Sequence, residues 1–200
     1  MEIEPELGEV PVPADHDESD VWLSLGKRGG GQRGGQQYTK YQCFEKACEA
    51  NPNRTDTWFA LGRAGGGAVD GRMYNEKTCF QQVLGLDPRH VGAWTWLGDE
   101  AGGTVAGQRY TEKECYAKAI TLDPSQAEAW GLMGVSGGGV VNGVRYSERE
   151  CYEQALAANP KHARAWNWLG KMGGGTVAGK WYSSEECEQN WKPIRRSNFS

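Results

Sequence analysis

Cysteine is the most reactive side chain in this sequence, because a thiolate can act as a nucleophile, bind a metal ion or join a disulfide. Five of the six cysteines recur at a fixed step of 36 residues. Equivalent residues of stacked helices lie about 10 Å apart, whereas a disulfide needs Cα atoms within about 7 Å. We therefore predict reduced, buried thiols, which favours an intracellular compartment. The five recurring positions are Cys43, Cys79, Cys115, Cys151 and Cys187.

The other residues that could bind a metal ion are scattered. The three histidines, His16, His90 and His162, lie far apart in the sequence, and no cysteine pair has the short spacing of a zinc site. Cys43 and Cys48 form a lone pair five residues apart, which is not a site. Buried apolar thiols also have a raised pKa and are inert. The sequence therefore predicts no metal, no cofactor and no enzymatic activity.

A phosphate-binding loop is the third chemistry to consider. Residues 174–180 have the G-x-x-x-x-G-K spacing of a P-loop. The next residue is Trp181 instead of the Ser or Thr that would hold magnesium, and the segment follows a predicted helix instead of a strand. The equivalent segments of the chain lack the lysine. We therefore predict a structural loop.

The 36-residue step dominates the whole chain and predicts its architecture. A period of this length indicates one small structural unit copied head to tail. Each unit leaves an apolar face that its neighbour covers, so the copies stack into an open body. The step relates Trp22, Trp58, Trp94, Trp130 and Trp166, and likewise Tyr38, Tyr74, Tyr110, Tyr146 and Tyr182.

Each unit reads as a helix, a Gly-rich loop and a second helix. Apolar residues at helical spacing around Trp94 predict the first helix, which two glycines end. In the loop we expect Val105 and its equivalents to point inward; the first copy lacks this valine and should be looser. Thr111 and Glu114 predict a capping box at the start of the second helix. The capping pattern recurs at Thr39 and Gln42, Ser147 and Glu150, and Ser183 and Glu186, whereas Asn75 with Thr78 keeps only the cap.

These motifs resemble the tetratricopeptide repeat. That family opens on W-x₂-L-G and continues with an aromatic residue, an alanine and a closing proline. The resemblance implies an all-α, right-handed α-solenoid of five helix-loop-helix repeats. The unit departs from the family in its length of 36 instead of 34 residues and in its Gly-rich loop. The matching residues are 58–62, 94–98 and 166–170; Phe80, Tyr116 and Tyr152; Ala119 and Ala155; and Pro52, Pro88, Pro124 and Pro160.

Three regions follow from this pattern. Residues 1–17 form an acidic N-terminal arm, residues 18–192 form the repeats, and residues 193–200 form a basic tail. We expect Pro193 to end the last helix. The repeats fall at about 18–53, 54–89, 90–125, 126–161 and 162–192.

Charge and hydropathy limit the partners. The net charge of −4 and the pI near 5.5 match nucleic acid poorly. No apolar stretch approaches the roughly 20 residues that span a bilayer, so direct membrane insertion is not expected. The acidic, proline-containing N-terminus does not resemble a signal or transit peptide. The default expectation is a cytoplasmic protein, or an organellar one if the chain is a processed form.

The resemblance implies a scaffold or adaptor that binds partner proteins or peptides in a groove lined by the first helices. We therefore expect a non-catalytic protein-binding scaffold; the alternative is a permanent accessory subunit of a large multi-protein complex, with an organellar complex as one candidate. Only Asn167 and Lys171 resemble the clamp with which one subgroup binds chaperone tails. The predicted groove residues are Lys27, Arg63, Asp99, Asn167 and Lys171.

Four tryptophans stand outside the 36-residue column. Trp181 and Trp191 form either an exposed patch that docks on another protein or, for Trp191, part of a cap on the last repeat. Trp96 and Trp168 lie two positions after the column and point about 200° away from it. They reach either the groove or a neighbouring loop.

Overall fold

The computed structural model describes residues 17–197, with side chains as far as Lys192. This part of the chain forms ten α-helices and five two-stranded antiparallel sheets. The chain divides into two compact units: the first ends at Pro88 and the second begins at Arg89. In both units the order is helix, β-hairpin, helix, which occurs twice in the first unit and three times in the second.

The repeats share nearly constant element lengths. The first unit contains α1 (Glu18–Lys27), β1 (Gly30–Arg33), β2 (Gln36–Thr39), α2 (Lys40–Ala50), α3 (Thr55–Arg63), β3 (Gly67–Val69), β4 (Arg72–Tyr74) and α4 (Glu76–Leu86). The second unit contains α5 (Val91–Asp99), β5 (Gly103–Val105), β6 (Gln108–Tyr110), α6 (Glu112–Leu122), α7 (Ala127–Val135), β7 (Gly139–Val141), β8 (Val144–Tyr146), α8 (Glu148–Ala158), α9 (Ala163–Lys171), β9 (Gly175–Val177), β10 (Lys180–Tyr182) and α10 (Ser184–Ser197).

The repeated helix pairs confirm the predicted helical repeat, but the Gly-rich segment is a β-hairpin instead of an irregular loop. Its cause is the dipeptide between the two strands. Asp70 and Gly71 have φ values of 49° and 76°, and positive φ at both central residues produces a tight turn that matches the twist of the strands. Asn142-Gly143 and Ala178-Gly179 have the same geometry. The predicted handedness of the array stays a prediction.

The hairpin valines point inward, as predicted. Val69, Val105, Val141 and Val177 are each at most 6% exposed. In the first repeat Arg33 takes this position, and its guanidinium lies 4.4 Å from the centre of the Trp22 ring. The strands of that hairpin are four residues long instead of three.

The helices that follow the hairpins begin as the sequence predicts. Capping boxes are present at Thr39, Thr111 and Ser147, and Ser183 exchanges the same two hydrogen bonds with Glu186. The Asn75 side chain accepts a bond from the Thr78 backbone without the reciprocal contact. The acceptors satisfy backbone N–H groups that a helix start otherwise leaves unpaired.

Each repeat is held together by one tryptophan. The Trp166 ring meets the Tyr182 ring with centroids 4.9 Å apart, and its Nε1 donates a hydrogen bond to the Pro160 carbonyl at 2.7 Å. The other four column tryptophans each meet their tyrosine at 4.8 Å. The partner of the indole ring is therefore the tyrosine that ends the hairpin as well as the second helix.

Glycines of the first helices allow the aromatic residue of the second helix to approach. A Cβ on Gly134 would lie 2.5 Å from Cε1 of Tyr152. Within each unit every helix packs on the next helix of the chain. Trp168 on α9 stacks on Tyr152 of α8, with ring centroids 6.5 Å apart and planes 7° apart. Trp168 thus packs on the preceding repeat's helix, which was not among the expected partners.

The C-terminal helix corrects one expectation. Helix α10 runs to Ser197, so the prediction that Pro193 ends the helix is wrong. A proline removes one backbone hydrogen bond and crowds the preceding turn, but it can kink a helix without terminating it. The acidic arm, apart from Asp17, and the end of the basic tail lie outside the described residues.

In every repeat, the glycine that begins the first hairpin strand or directly precedes it has no room for a side chain. These glycines are Gly30, Gly66, Gly102, Gly138 and Gly174. A Cβ on Gly138, whose φ is 79°, would fall on the carbonyl oxygen of Tyr146. We expect Gly138→Ala to lower the free energy of unfolding by about 2–5 kcal/mol, because strain and a backbone overlap add. Chemical denaturation measures this loss.

Gly143→Ala is the matched control, because Gly143 has φ 82° and open space around its Cα. It should cost only the backbone strain, about 1–2 kcal/mol. Equal losses for the two variants would contradict the proposed overlap.

An alanine in a left-handed turn conformation carries backbone strain that a substitution by glycine can remove. Ala178 has φ 49° in the β9–β10 turn. Ala178→Gly should raise the free energy of unfolding by about 0.5–1 kcal/mol, because glycine adopts this φ without a Cβ penalty. The same change at Ala117, within α6, should lower it by about 1 kcal/mol. Thermal unfolding of both variants checks the opposite signs.

Candidate functional site

The cysteines do not form a reactive centre. All six are free and buried, which confirms that the thiols are buried. Burial raises the pKa of Cys48, Cys79 and Cys151 to about 12. A thiolate is the reactive form of cysteine, so these side chains act as small apolar packing residues.

The P-loop-like segment forms the hairpin β9–β10. Gly174 and Gly175 precede or begin β9, Ala178 and Gly179 make the turn, and Lys180 begins β10. The Lys180 ammonium lies 4.5 Å from the centre of the Tyr182 ring. A P-loop instead follows a strand and opens a helix with its backbone N–H groups converging on phosphate, so the segment has a structural role, as predicted.

Within the described residues there is neither a cluster of metal ligands nor a membrane-spanning helix. No group of three or more His, Cys, Asp or Glu side chains is close enough to hold a metal ion there. Among the helices of residues 17–197, none is both long and apolar enough to span a bilayer.

One position at the end of each first helix is exposed in every repeat, and we call these five residues the helix-end row. Because the backbone frame repeats, the row presents different side chains at equivalent places. Lys171 also lies over the Trp168 ring, with its Nζ 4.4 Å from the centroid. The members are Lys27, Arg63, Asp99, Val135 and Lys171.

The position four residues earlier is less available. Leu23 and Thr95 are at most 3% exposed, and a Cβ on Gly131 would lie 2.8 Å from the His162 ring. Asn167 is partly exposed, like Phe59. The predicted residues Asn167 and Lys171 thus lie one turn apart on α9, whereas packing closes the position equivalent to Asn167 in the first, third and fourth repeats.

The two remaining predicted residues lie on different elements. Trp181 is on β10 and is 57% exposed, and the Arg149 guanidinium lies 6.0 Å from its ring centre. Trp191 is on α10 and is partly buried. Whether Trp191 caps the array or docks a partner stays a prediction.

A set of ion pairs between successive first helices was missed by the sequence analysis. Arg54, before α3, contacts Asp20 of α1 at 2.5 Å and the Ser19 hydroxyl at 3.2 Å. The equivalent His162, before α9, contacts Glu128 of α7 at 3.0 Å. Both pairs are 34 residues apart, so a search for opposite charges at that separation could have found them. They join repeats and leave these side chains less available to a partner.

Shallow depressions lie beside hairpins in both units. One, of about 490 Å³, is lined by Lys113, Val140 and Arg145 together with the glycines 137–139. Another, of about 450 Å³, lies between Tyr38 on the first hairpin and Ala68 on the second. The hairpins therefore create surface that helix pairs alone would not have.

A family model of the tetratricopeptide repeat matches residues 149–173. These residues comprise most of α8, the turn at Pro160 and the whole of α9, and they end before β9. No curated protein matches the chain. The match and the recurring helix pairs together support a tetratricopeptide-like family.

Raising the pH should weaken the fold through the buried thiols. The unfolded thiols ionise near pH 8.5, whereas burial raises the folded pKa of Cys151 to about 12. Their contribution is therefore complete below about pH 8.5 and is lost as the pH rises toward about 12. Denaturation at a series of pH values should show a falling free energy of unfolding above about pH 8.5.

Cys151→Ala should reduce the slope of this fall, because it removes one titrating group. Buried tyrosines with raised pKa values, such as Tyr116, add a parallel fall at higher pH. An unchanged slope in Cys151→Ala, together with thiol labelling of the native protein at neutral pH, would contradict the assignment.

Proposed function

We propose that this protein is a non-catalytic scaffold or adaptor that binds other proteins through its repeat surface. Tetratricopeptide repeats generally mediate protein–protein interaction, and the family model matches residues 149–173. The observation that carries the proposal is the helix-end row: one exposed position, repeated on a constant frame, holds cations, an anion and an apolar side chain. Such variation distinguishes partners by charge and shape.

The binding residues we propose are Lys27, Arg63, Asp99, Asn167 and Lys171. The cations at helix ends also favour the negative end of the helix dipole, but that effect does not require Asp99 or Val135 at the same place. The six free, buried cysteines support a reducing compartment, so we propose an intracellular, by default cytoplasmic, protein.

A permanent accessory subunit of a large complex is the second candidate. The exposed apolar side chains on the hairpins favour it, since a constant partner would cover them. Val140 and Val144 are 46% and 54% exposed, and Trp181 is 57% exposed. Sedimentation in native extract separates the two: a free monomer supports the adaptor, and constant co-purification with one complex supports the subunit.

Charge reversal tests the adaptor. The variant Lys27→Glu, Arg63→Glu and Lys171→Glu changes only exposed helix-end positions, so the fold should be retained, as circular dichroism can check. We expect partners recovered by affinity purification from native extract to fall at least about tenfold, which corresponds to about 1.4 kcal/mol.

The control carries the same charge change elsewhere, with Glu at the exposed positions Arg109, Lys118 and Lys161. It should recover the original partners. If the helix-end variant also recovers them undiminished, the row is not the binding surface.

A further inference from the structure

Each hairpin presents an outer strand edge, and in two repeats a glutamate of the preceding helix occupies it. The backbone N–H of Ala68 on β3 donates to the Glu45 carboxylate at 2.7 Å. The equivalent N–H of Thr176 on β9 donates to the Glu153 carboxylate at 2.6 Å. These residues are the middle ones of three-residue strands. In an antiparallel ladder closed by a two-residue turn, their N–H groups point away from the paired strand.

The fourth repeat lacks this glutamate. The position equivalent to Glu45 and Glu153 is Ala117 on α6, whose methyl group has no acceptor. The middle residue of β7 is Val140, which pairs with Arg145 and is 46% exposed. The outward N–H of Val140 therefore lacks the carboxylate that Ala68 and Thr176 have.

Two cations face the same depression as this strand edge. Lys113 and Arg145 line it together with Val140. Among the described residues neither cation forms an ion pair or a side-chain hydrogen bond. Two carboxylates, Glu114 and Glu150, also line it, but each has an oxygen engaged in the cap of its own helix. The depression is thus lined by the strand edge that carries the Val140 N–H, by two cations without an ion pair among the described residues, and by two carboxylates that each keep one oxygen in a helix cap.

The fifth repeat shows the contrasting arrangement. Arg149 occupies the position equivalent to Lys113, and it donates to the Met172 carbonyl at 2.6 Å and to the Gly174 carbonyl. There the cation and the strand edge are both satisfied within the chain, the edge by Glu153. In the fourth repeat both remain available.

We propose that the β7 edge, with Lys113 and Arg145, binds a glutamate side chain from an acidic segment of a partner protein. The partner carboxylate would accept the hydrogen bond from Val140 that Glu45 and Glu153 accept from the equivalent residues. A charge-assisted bond of this kind is stronger than a neutral one. The inference rests on the proposed protein-binding role but concerns a different surface from the helix-end row.

The test follows backbone amide resonances of the full chain by NMR during titration with two short peptides. The first is capped at both ends, with the sequence Gly-Val-Glu-Val-Gly, and the second has Gln in place of Glu. We expect the Glu peptide to shift the Val140 amide and the Gln peptide to bind at least about tenfold more weakly. No shift at Val140, or equal binding of the two peptides, overturns the proposal.

Two variants and an internal control locate the site. Ala117→Glu supplies the carboxylate from within the chain and should abolish the response at Val140. Lys113→Gln with Arg145→Gln should weaken binding at least about tenfold. The Thr176 amide, already bonded to Glu153, should not respond in the native protein. Retained binding in either variant, or an equal response at Thr176, counts against the site.

Two further probes separate the occupants. A peptide of residues 1–16 that bound at Val140 more tightly than the Glu peptide would assign the site to the chain's own acidic arm. A peptide Gly-Val-Gly with a free carboxyl end that bound more tightly would assign it to a chain terminus. Either result overturns the partner glutamate. The titration reports only on the Val140 site. A negative titration therefore does not bear on the helix-end row, which the affinity purification tests separately.

Discussion

One indole ring joins three segments in the second, fourth and fifth repeats, and the relative orientation of those segments depends on its contacts. Trp58 and Trp130 donate to the carbonyls of Pro52 and Pro124 in the preceding turn, at 2.7 and 3.0 Å. Their rings also meet the tyrosine that ends the hairpin. An aromatic pair adds roughly 0.5–1.5 kcal/mol to the burial of the rings. The turn, the first helix and the hairpin are thereby held in one relative orientation, which lets the same unit recur.

The hairpins lie outside the part of the chain that the family model matches. The matched residues 149–173 run from a second helix into the next first helix, where packing follows the tetratricopeptide pattern. Between the first and second helix of one repeat, however, the chain makes two strands and a tight turn. Gly138 lies directly before the first strand of one such hairpin. It has a positive φ, and its Cα lies close to the Tyr146 carbonyl. A compact β element therefore replaces the ordinary helical turn without disturbing the helix pairs on either side.

Sequence reasoning succeeded where one residue type has one physical use. The tryptophan column, the capping boxes and the buried valines follow from spacing and side-chain chemistry. It failed where two structures satisfy the same residues: glycines permit a loop or a hairpin, and Asp70-Gly71 and Asn142-Gly143 were the signals for the hairpin. The Arg54–Asp20 pair was missed because its charges lie 34 residues apart in the sequence and meet only where successive first helices adjoin. The exposure of the helix-end row likewise depends on packing that a linear pattern does not contain.

The hairpins also impose a requirement that helices do not, because every strand edge exposes unpaired backbone groups that must be hydrated or bonded. Glu45 and Glu153 meet this requirement from the preceding helix, so the same bond that satisfies an edge also fixes the hairpin against its neighbour. Where Ala117 stands instead, the hairpin keeps its helix contacts but loses that bond. Alanine in place of glutamate at position 117 thus leaves the Val140 N–H without a carboxylate partner from the described part of the chain. Surface variation in a repeat protein can therefore arise by withdrawing an internal partner as well as by adding a new side chain.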